Sequence, residues 1–516
     1  MIIDLMNYIM AKGPLGMIMD HEEPLSLSIT ALSNDEAVMN YRQALGGVFS
    51  LEAEVQNMPG MNRELMQAIT RLANDVNQER LRVLTPKTTF QNQVDAYLNG
   101  PDCLTMILDE IQKAEHYIHL SVMLYFNDLA GNLITAALLQ ALARGVEVRV
   151  MVDYGVTEFG YSKKPGVGDF SHLADQLKAA GGQVINCFNS CYESLDWEKK
   201  RAELHSQGVS EGVLFLQDLV QAAVHNDLDV INHRKFIVID GTTSIIGSLN
   251  IGDQYLYDNP VIVPGVDDIE KIESAVPYGK AQWHDGCFRI RGAFALPLNQ
   301  LFASQWVILS DEVFDPEDAF YSPAIDQSCG NEACTLLVSF PGNPVNTIRH
   351  YYADLITYAA GEVIISNPYM LDPEFWQALQ GLNAAQSSRI TLCNSMIIND
   401  HPTNEAAVRC NMYQPFEQGV AFFDYSKTGR FSHWKVAYDK NSSCVFHGSY
   451  NLNIRSACHD FEAGVLVRGQ DFAEKVRELL QVDLKLSERV VDGNVFHKYP
   501  WIHPSNYFNE MTRYFT

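Results

Sequence analysis

Asn232-His233-Arg234-Lys235-Phe236-Ile237-Val238-Ile239-Asp240-Gly241, followed by Gly247-Ser248-Leu249-Asn250, decides how this chain is read. In the second half the same order returns as His433-Trp434-Lys435-Val436-Ala437-Tyr438-Asp439, followed by Gly448-Ser449-Tyr450-Asn451. In an extended chain residues i and i+2 share a face, so each His projects together with its Lys. A lone His-x-Lys beside an apolar strand is an ordinary surface pair. Two copies, each with a Gly-Ser-x-Asn at similar spacing, point to a duplicated unit that brings both pairs to one cleft. Two lysines supply positive charge, and the Ser and Asn of each loop supply hydrogen bonds. That set suits a phosphate with developing negative charge. One imidazole can attack phosphorus while the other, protonated, gives a proton to the departing alkoxide. No metal or cofactor is required for such chemistry.

Working outward, the rest of the chain repeats in the same way. Leu104, Ile107, Leu108 and Ile111 fall at helical spacing, and Ile118, Leu120, Val122 and Leu124 alternate as in a strand. A helix through Ile134, Leu138, Ala141 and Leu142 and a strand over Val146–Val152 follow. Later come a helix near Ile348 to Ala360, a strand Val363–Ser366, a helix around Phe375 to Leu382 and a strand Arg389–Cys393. Helix and strand in alternation predict an α/β fold: two similar halves, each with a mostly parallel mixed sheet flanked by helices. The expected division is a mainly helical N-terminal extension over 1–95, a first half over 96–310, a second half over 325–495 and an aromatic tail over 496–516. The Asp, Pro, Gly and Ser cluster between Ser310 and Glu332 marks the boundary between halves.

Composition narrows the partners. The 516 residues carry a formal net charge of -26, which repels a polyanion, so nucleic acid is an unfavoured substrate. Charge attraction to anionic lipid surfaces is disfavoured too, though apolar contacts with a bilayer are not. The ten cysteines show neither CxxC pairs nor companion histidines at zinc spacing, and they read as reduced and buried, which favours a cytosolic origin. Met1–Met19 lacks a basic start and is broken by Asp4, Gly13, Pro14 and Gly16, unlike a signal peptide. No run reaches the roughly 18 apolar residues of a spanning helix. The expected location is the cytoplasm or a membrane periphery, with export by a signal-less route left open.

At this point the chain resembles the phospholipase D superfamily, and its bacterial cardiolipin synthase-like branch in particular. The resemblance covers about residues 95 to 495 and rests on Asn232–Gly241, Gly247–Tyr255, Trp283-His284-Asp285, Asn367-Pro368-Tyr369 and Gly448–Ser456. It implies two halves sharing one pseudo-twofold site. It also implies a covalent phosphohistidine, formed by expulsion of one alcohol and resolved by water or a second alcohol. By that analogy His233 is the nucleophile and His433 the general acid, then base; the near symmetry of the motifs keeps the reverse assignment open. Lys235, Lys435, Asn250 and Asn451 would hold phosphate oxygens, with Ser248 and Ser449 supporting the loops. Asp285 and Glu462 match the acids that fix the imidazole tautomers. Asp240 stands five residues after Lys235 as in the family, whereas Asp439 comes one residue early and Lys440 fills the matching place. The resemblance groups Asp240 and Asp439 with the catalytic His-x-Lys pairs, but since the family's Asp is mainly structural, it implies an altered second hairpin more than lost catalysis.

The implied partner is a phospholipid at a membrane surface, with water or a small alcohol as acceptor; the oligomeric state is not legible. The long stretch between Phe188 and His233 and the aromatic tail could touch lipid or fold back on the protein. The competing functions are a phosphodiesterase acting on nucleic acid, against which the charge counts, and a non-catalytic lipid-binding scaffold, against which two intact His-x-Lys pairs count.

Overall fold

The apolar runs that follow the two His-x-Lys pairs become strands of one continuous sheet. The computed structural model describes residues 87–153, 157, 170–187, 206, 231–256, 283–310, 312, 314–325, 329–339, 346–399, 402–458 and 460–492. Residues 1–86, nearly all of the 188–230 stretch and the aromatic tail lie outside the described residues.

The first half runs β1 (Lys87–Leu98), α1 (Gly100–Lys113), β2 (Tyr117–Val122), α2 (Leu129–Ala143), β3 (Glu147–Val152), α3 (Phe170–Ala179), β4 (Gln183–Asn186), β5 (Phe236–Ile239), β6 (Thr243–Gly247), β7 (Trp283–His284), β8 (Gly286–Arg291) and α4 (Ala295–Leu309). The second half runs β9 (Glu332–Ser339), α5 (Thr347–Thr357), β10 (Val363–Ser366), α6 (Pro373–Gln380), β11 (Ile390–Asn394), α7 (Pro402–Asn411), β12 (Ala421–Asp424), β13 (Phe431–Ser432), β14 (Val436–Asp439), β15 (Cys444–Gly448), α8 (Ile454–Cys458), β16 (Glu462–Arg468), α9 (Gln470–Lys485) and β17 (Glu488–Arg489). Helix starts follow local chemistry. Pro101 sits in the first turn of α1, and the side chains of Asp128, Asn346 and Asp372 cap α2, α5 and α6.

The strand order is β17-β12-β11-β10-β14-β15-β16-β9-β1-β8-β6-β5-β2-β3-β4. From β12 to β9, and from β4 to β1, the two halves list equivalent strands in the same order, so the internal repeat is a pseudo-twofold whose axis passes between β1 and β9. Those two strands pair antiparallel from Lys87↔Leu336 to Asn92↔Glu332 and fuse the halves into one sheet. Residues 87–95, grouped by sequence with a helical extension, are thus part of a central strand. A strand of mostly polar residues with a bulge of its own carries no clean alternation to announce it, and Gln91 at the bulge has φ +60.

The sheet is mixed, but parallel pairing is confined to its wings, β2-β3-β4 and β10-β11-β12. There helices α2, α3, α6 and α7 supply the crossovers that parallel strands need. The centre is antiparallel because each His-x-Lys strand turns back through a short hairpin, β5–β6 and β14–β15, and is then met by β8 or β16. The expectation of a mostly parallel sheet therefore holds for the wings alone.

Both sheet faces are covered, which explains why β5 reads as an unbroken Phe-Ile-Val-Ile run. Phe236 and Val238 enter the core with Phe302 and Trp306 of α4 and Phe472 and Val476 of α9. Ile237 and Ile239 enter the opposite core with Leu104, Ile107 and Ile134 of α1 and α2. No helix among the described residues is long and apolar enough to cross a membrane.

Candidate active site

The two His-x-Lys segments are extended lead-ins rather than strand residues, since β5 and β14 begin one residue after each lysine. Their backbones are held by the opposite half. His233 N donates to Phe461 O at 3.0 Å, and Phe461 N donates to Ile231 O at 2.9 Å. His433 N donates to His284 O at 2.8 Å, within a small parallel pair formed by β7 and β13. In each case the clasping residue immediately precedes an acid.

Those acids close the arrangement crosswise. His233 Nδ1 lies 2.8 Å from Glu462 Oε1, and His433 Nδ1 lies 2.8 Å from Asp285 Oδ2. Each half's carboxylate therefore orients the other half's histidine. Glu462 and Asp285 are fully buried. A carboxylate only accepts, so each Nδ1 carries the hydrogen and Nε2 is the nitrogen with a lone pair to use. The second carboxylate oxygens are also occupied: Ser449 Oγ donates to Glu462 Oε2 and Ser248 Oγ donates to Asp285 Oδ1, each serine sitting in its own Gly-Ser-x-Asn loop. Ser456 Oγ donates to Glu462 Oε1 at 2.5 Å while accepting from Asn451 N at 3.1 Å. Ser456 closes the second motif, and its place in the chain does not signal that it supports the acid.

The lysines stand beside their histidines. Lys235 Nζ donates to His233 O at 2.5 Å; Lys435 Nζ lies 3.0 Å from His433 O and 2.8 Å from His433 Nε2. Burial pushes the Lys235 ammonium down to about 8, against the pull of Glu462 and Asp285, one carboxylate from each half. Burial also holds His233 below the ordinary histidine range, with Glu462 opposing. Burial raises Asp285 above the usual carboxylate range, and the Lys435 charge opposes it. For Glu462 burial acts upward as well, but the charges on His233 and Lys235 outweigh it and hold the carboxyl below its ordinary value. The pocket is thus a dry mixture of two acids, two lysines and two imidazoles in which paired charge compensates desolvation.

The two asparagines differ. Asn250 is bound into its loop, accepting from Leu124 N at 3.2 Å and donating to Tyr255 Oη at 3.2 Å. Asn451 uses its backbone N–H for that purpose, and its side-chain Oδ1 has no hydrogen-bond partner among the described residues. An aromatic wall stands at His433: Trp283 at 4.7 Å between ring centroids, Phe431 at 5.7 Å and Tyr369 at 6.4 Å. Trp283 and Tyr369 belong to motifs quoted from sequence, but their approach to His433 is a product of folding.

Asp240 and Asp439, grouped with the catalytic residues from sequence, are not in the site. They lie at the far ends of β5 and β14 from the lysines. Asp240 accepts from Glu115 N at 2.9 Å and from His116 N and Tyr117 N at 2.8 Å each, pinning the entry to β2. It and Gly241 adopt φ +51 and +63, the left-handed turn of a tight hairpin. Asp439 accepts from Asn441 N at 2.9 Å inside a longer turn, with Ser443 at φ +50. The altered second hairpin foreseen from the shifted Asp is present, and both aspartates act on turns.

The family model for the cardiolipin synthase, phospholipase D-like domain matches residues 107–263 and again 352–484. Cardiolipin synthase 1 of Staphylococcus epidermidis is 25% identical over 415 residues, covering 80% of this chain and 71% of that protein. Cardiolipin synthase 2 of Bacillus cereus is 24% identical over 436 residues, covering 83% and 72%. Among solved structures, the phosphatidylserine synthase of Haemophilus influenzae superposes with a TM-score of 0.55 at 14% identity, covering 84% of this chain and 96% of that one. That last likeness concerns the fold. Two family matches, one around each His-x-Lys motif, establish that this chain belongs to the phospholipase D superfamily, in its cardiolipin synthase-like branch.

Proposed function

We propose that the protein is a phosphatidyltransferase that exchanges the alcohol on a phospholipid's phosphodiester through a phosphohistidine. The observation that carries this reading is the pair of buried histidines, each with Nδ1 committed to a carboxylate of the opposite half. His233 in its neutral form attacks phosphorus through Nε2, and the bond from phosphorus to the leaving alcohol's oxygen breaks. His433 in its protonated form gives that oxygen its proton. An acceptor alcohol then enters, His433 takes its proton, the new P–O bond forms and the N–P bond breaks. With water as acceptor the same steps release phosphatidic acid. Lys235, Lys435 and the Asn451 side chain hold the non-bridging oxygens. Asn250 shapes its loop through Leu124 and Tyr255. None of these steps uses a metal or cofactor.

The apolar wall at His433 and the likeness to cardiolipin synthases favour a lipid over nucleic acid, as does the net charge of -26. The protein would work on lipid at the membrane surface. Incubation with labelled phosphatidylglycerol vesicles, with and without added glycerol, tests the reading. Lipid products that depend on both His233 and His433 support it; cleavage of DNA with no lipid product would refute it. Quenched turnovers followed by peptide mass analysis separate the two histidines, because a phosphatidyl adduct on the His433 peptide reverses the assignment.

A further inference from the structure

One buried histidine beside the site has no part in the steps above. His447 on β15 is fully buried, with Nδ1 2.8 Å from Lys435 O and Nε2 3.1 Å from Gly286 O. The first oxygen belongs to the lysine of the second His-x-Lys. The second belongs to the residue after Asp285, in the other half. Gly286 N in turn donates to Asp285 Oδ1 at 2.8 Å, and Ser248 N donates to Gly286 O at 3.3 Å. The imidazole is wedged between Phe288, 4.5 Å away, and Trp434, 6.1 Å away. At the matching place in the first half stands Ile246, and there the Lys235 carbonyl accepts from Gly247 N at 3.2 Å. Here the pseudo-twofold is broken by a polar side chain standing where the first half has an apolar one.

We propose that His447 is a positioning residue for His433: its ring clamps the Lys435 carbonyl of one half to the Gly286 carbonyl of the other and thereby fixes Asp285 against His433. The inference rests on His433 being the proton-transfer residue of the proposed reaction. Both contacts are to carbonyl oxygens, which accept only, while a neutral imidazole has a single N–H. The clamp closes fully only when the ring carries both hydrogens; otherwise a nitrogen lone pair faces a carbonyl lone pair in a dry site, a costly arrangement. The charged neighbours are Asp285, which favours the second proton, and Lys435, which opposes it. Val465, across from it on β16, and Phe288 on β8 add only apolar surface. Burial holds the ring below the ordinary histidine range. The second bond therefore forms on the acid side and is lost as pH rises.

The test compares kcat of the wild type and His447→Ile, which installs the first-half residue, on phosphatidylglycerol from about pH 5 to about pH 8.5. The expected wild-type advantage is about tenfold at the acid end, shrinking toward neutrality, with KM for lipid unchanged. Equal rates, or a ratio that does not vary with pH, overturn the proposal. Should His447→Ile fail to fold, His447→Gln, which keeps one donor, replaces it with the same criterion. Histidine-selective 15N NMR gives a readout without substrate: both His447 ring nitrogens protonated at acid pH supports the clamp, and a single neutral tautomer throughout overturns it. A wild type inactive on lipid would sink the proposed function while the NMR result still decides the clamp.

Discussion

Glu462 Oε1 stands 2.8 Å from His233 Nδ1 although 229 residues separate them, and Asp285 holds His433 in the reciprocal way. Neither half can orient its own histidine. Replacing Glu462 by Gln or Asp285 by Asn keeps the shape but offers the imidazole an amide, which allows the wrong tautomer. Either substitution is expected to lower kcat by about a hundredfold to ten-thousandfold, the range of a lost acid–base function. Far-UV circular dichroism should be unchanged, and steady-state kinetics on lipid vesicles checks the loss. Full activity in both variants would remove the crosswise pairs from the mechanism.

Lys235 sets an alkaline limit. Its folded pKa of about 8 lies below the free lysine value because burial disfavours the charge, so the ammonium is present below pH 8 and disappears above it. Phosphate binding weakens in the same direction. The log kcat/KM profile should bend down near pH 8. Lys235→Arg, whose guanidinium stays charged, should lose activity at neutral pH from altered geometry but move that bend upward. An unshifted bend assigns the limit to another group.

Asp240 and Asp439 should separate stability from catalysis. Asp240→Ala leaves three backbone N–H groups at the start of β2 without their acceptor, at a cost of about 1–3 kcal/mol. Thermal melting should register that loss while kcat of the folded fraction stays near wild type. Asp439→Ala, in a more exposed turn, should cost less. A collapse of kcat in folded Asp240→Ala would return this residue to the chemistry.

A pair of acids behind the first Gly-Ser-x-Asn loop predicts a pH effect on stability. Asp128 accepts from Asp253 N at 2.7 Å, and Asp253 accepts from Ala130 N at 2.8 Å. Burial and then the Asp253 charge push Asp128 up to about 7, and burial raises Asp253 as well. In this window the folded protein binds more protons than the unfolded chain, so the pair's contribution falls as pH rises from about 4 to about 7. Asp253→Asn keeps the Oδ1 acceptor and removes one charge. Its melting temperature should exceed the wild type's at pH 8 and approach it at pH 5, which differential scanning fluorimetry across pH can read. An identical pH dependence in the two proteins would show that the pair carries no such charge conflict.

What the sequence determined by itself was the repeat and its chemistry. His233, Lys235, His433, Lys435 and the Gly-Ser-x-Asn loops are contiguous in the chain, and β3, β10 and β11 are apolar runs whose period and bounding turns are local properties. Even Asp285 and Glu462 could be named, from motif resemblance. Which histidine each acid serves could not, because that depends on β1 and β9 joining the halves and on Phe461 and His284 clasping the opposite backbones. Strand β1 itself was hidden by its bulge and polar residues, and the antiparallel centre by hairpins whose partners are chosen only when the sheet assembles. The same holds for Ser456 on Glu462, for the aromatic wall at His433 and for His447 between two carbonyls. A side chain's periodicity tells which face it occupies, whereas its hydrogen-bond partner in a dry interior is decided by segments far away in sequence, and only the tertiary structure brings those together.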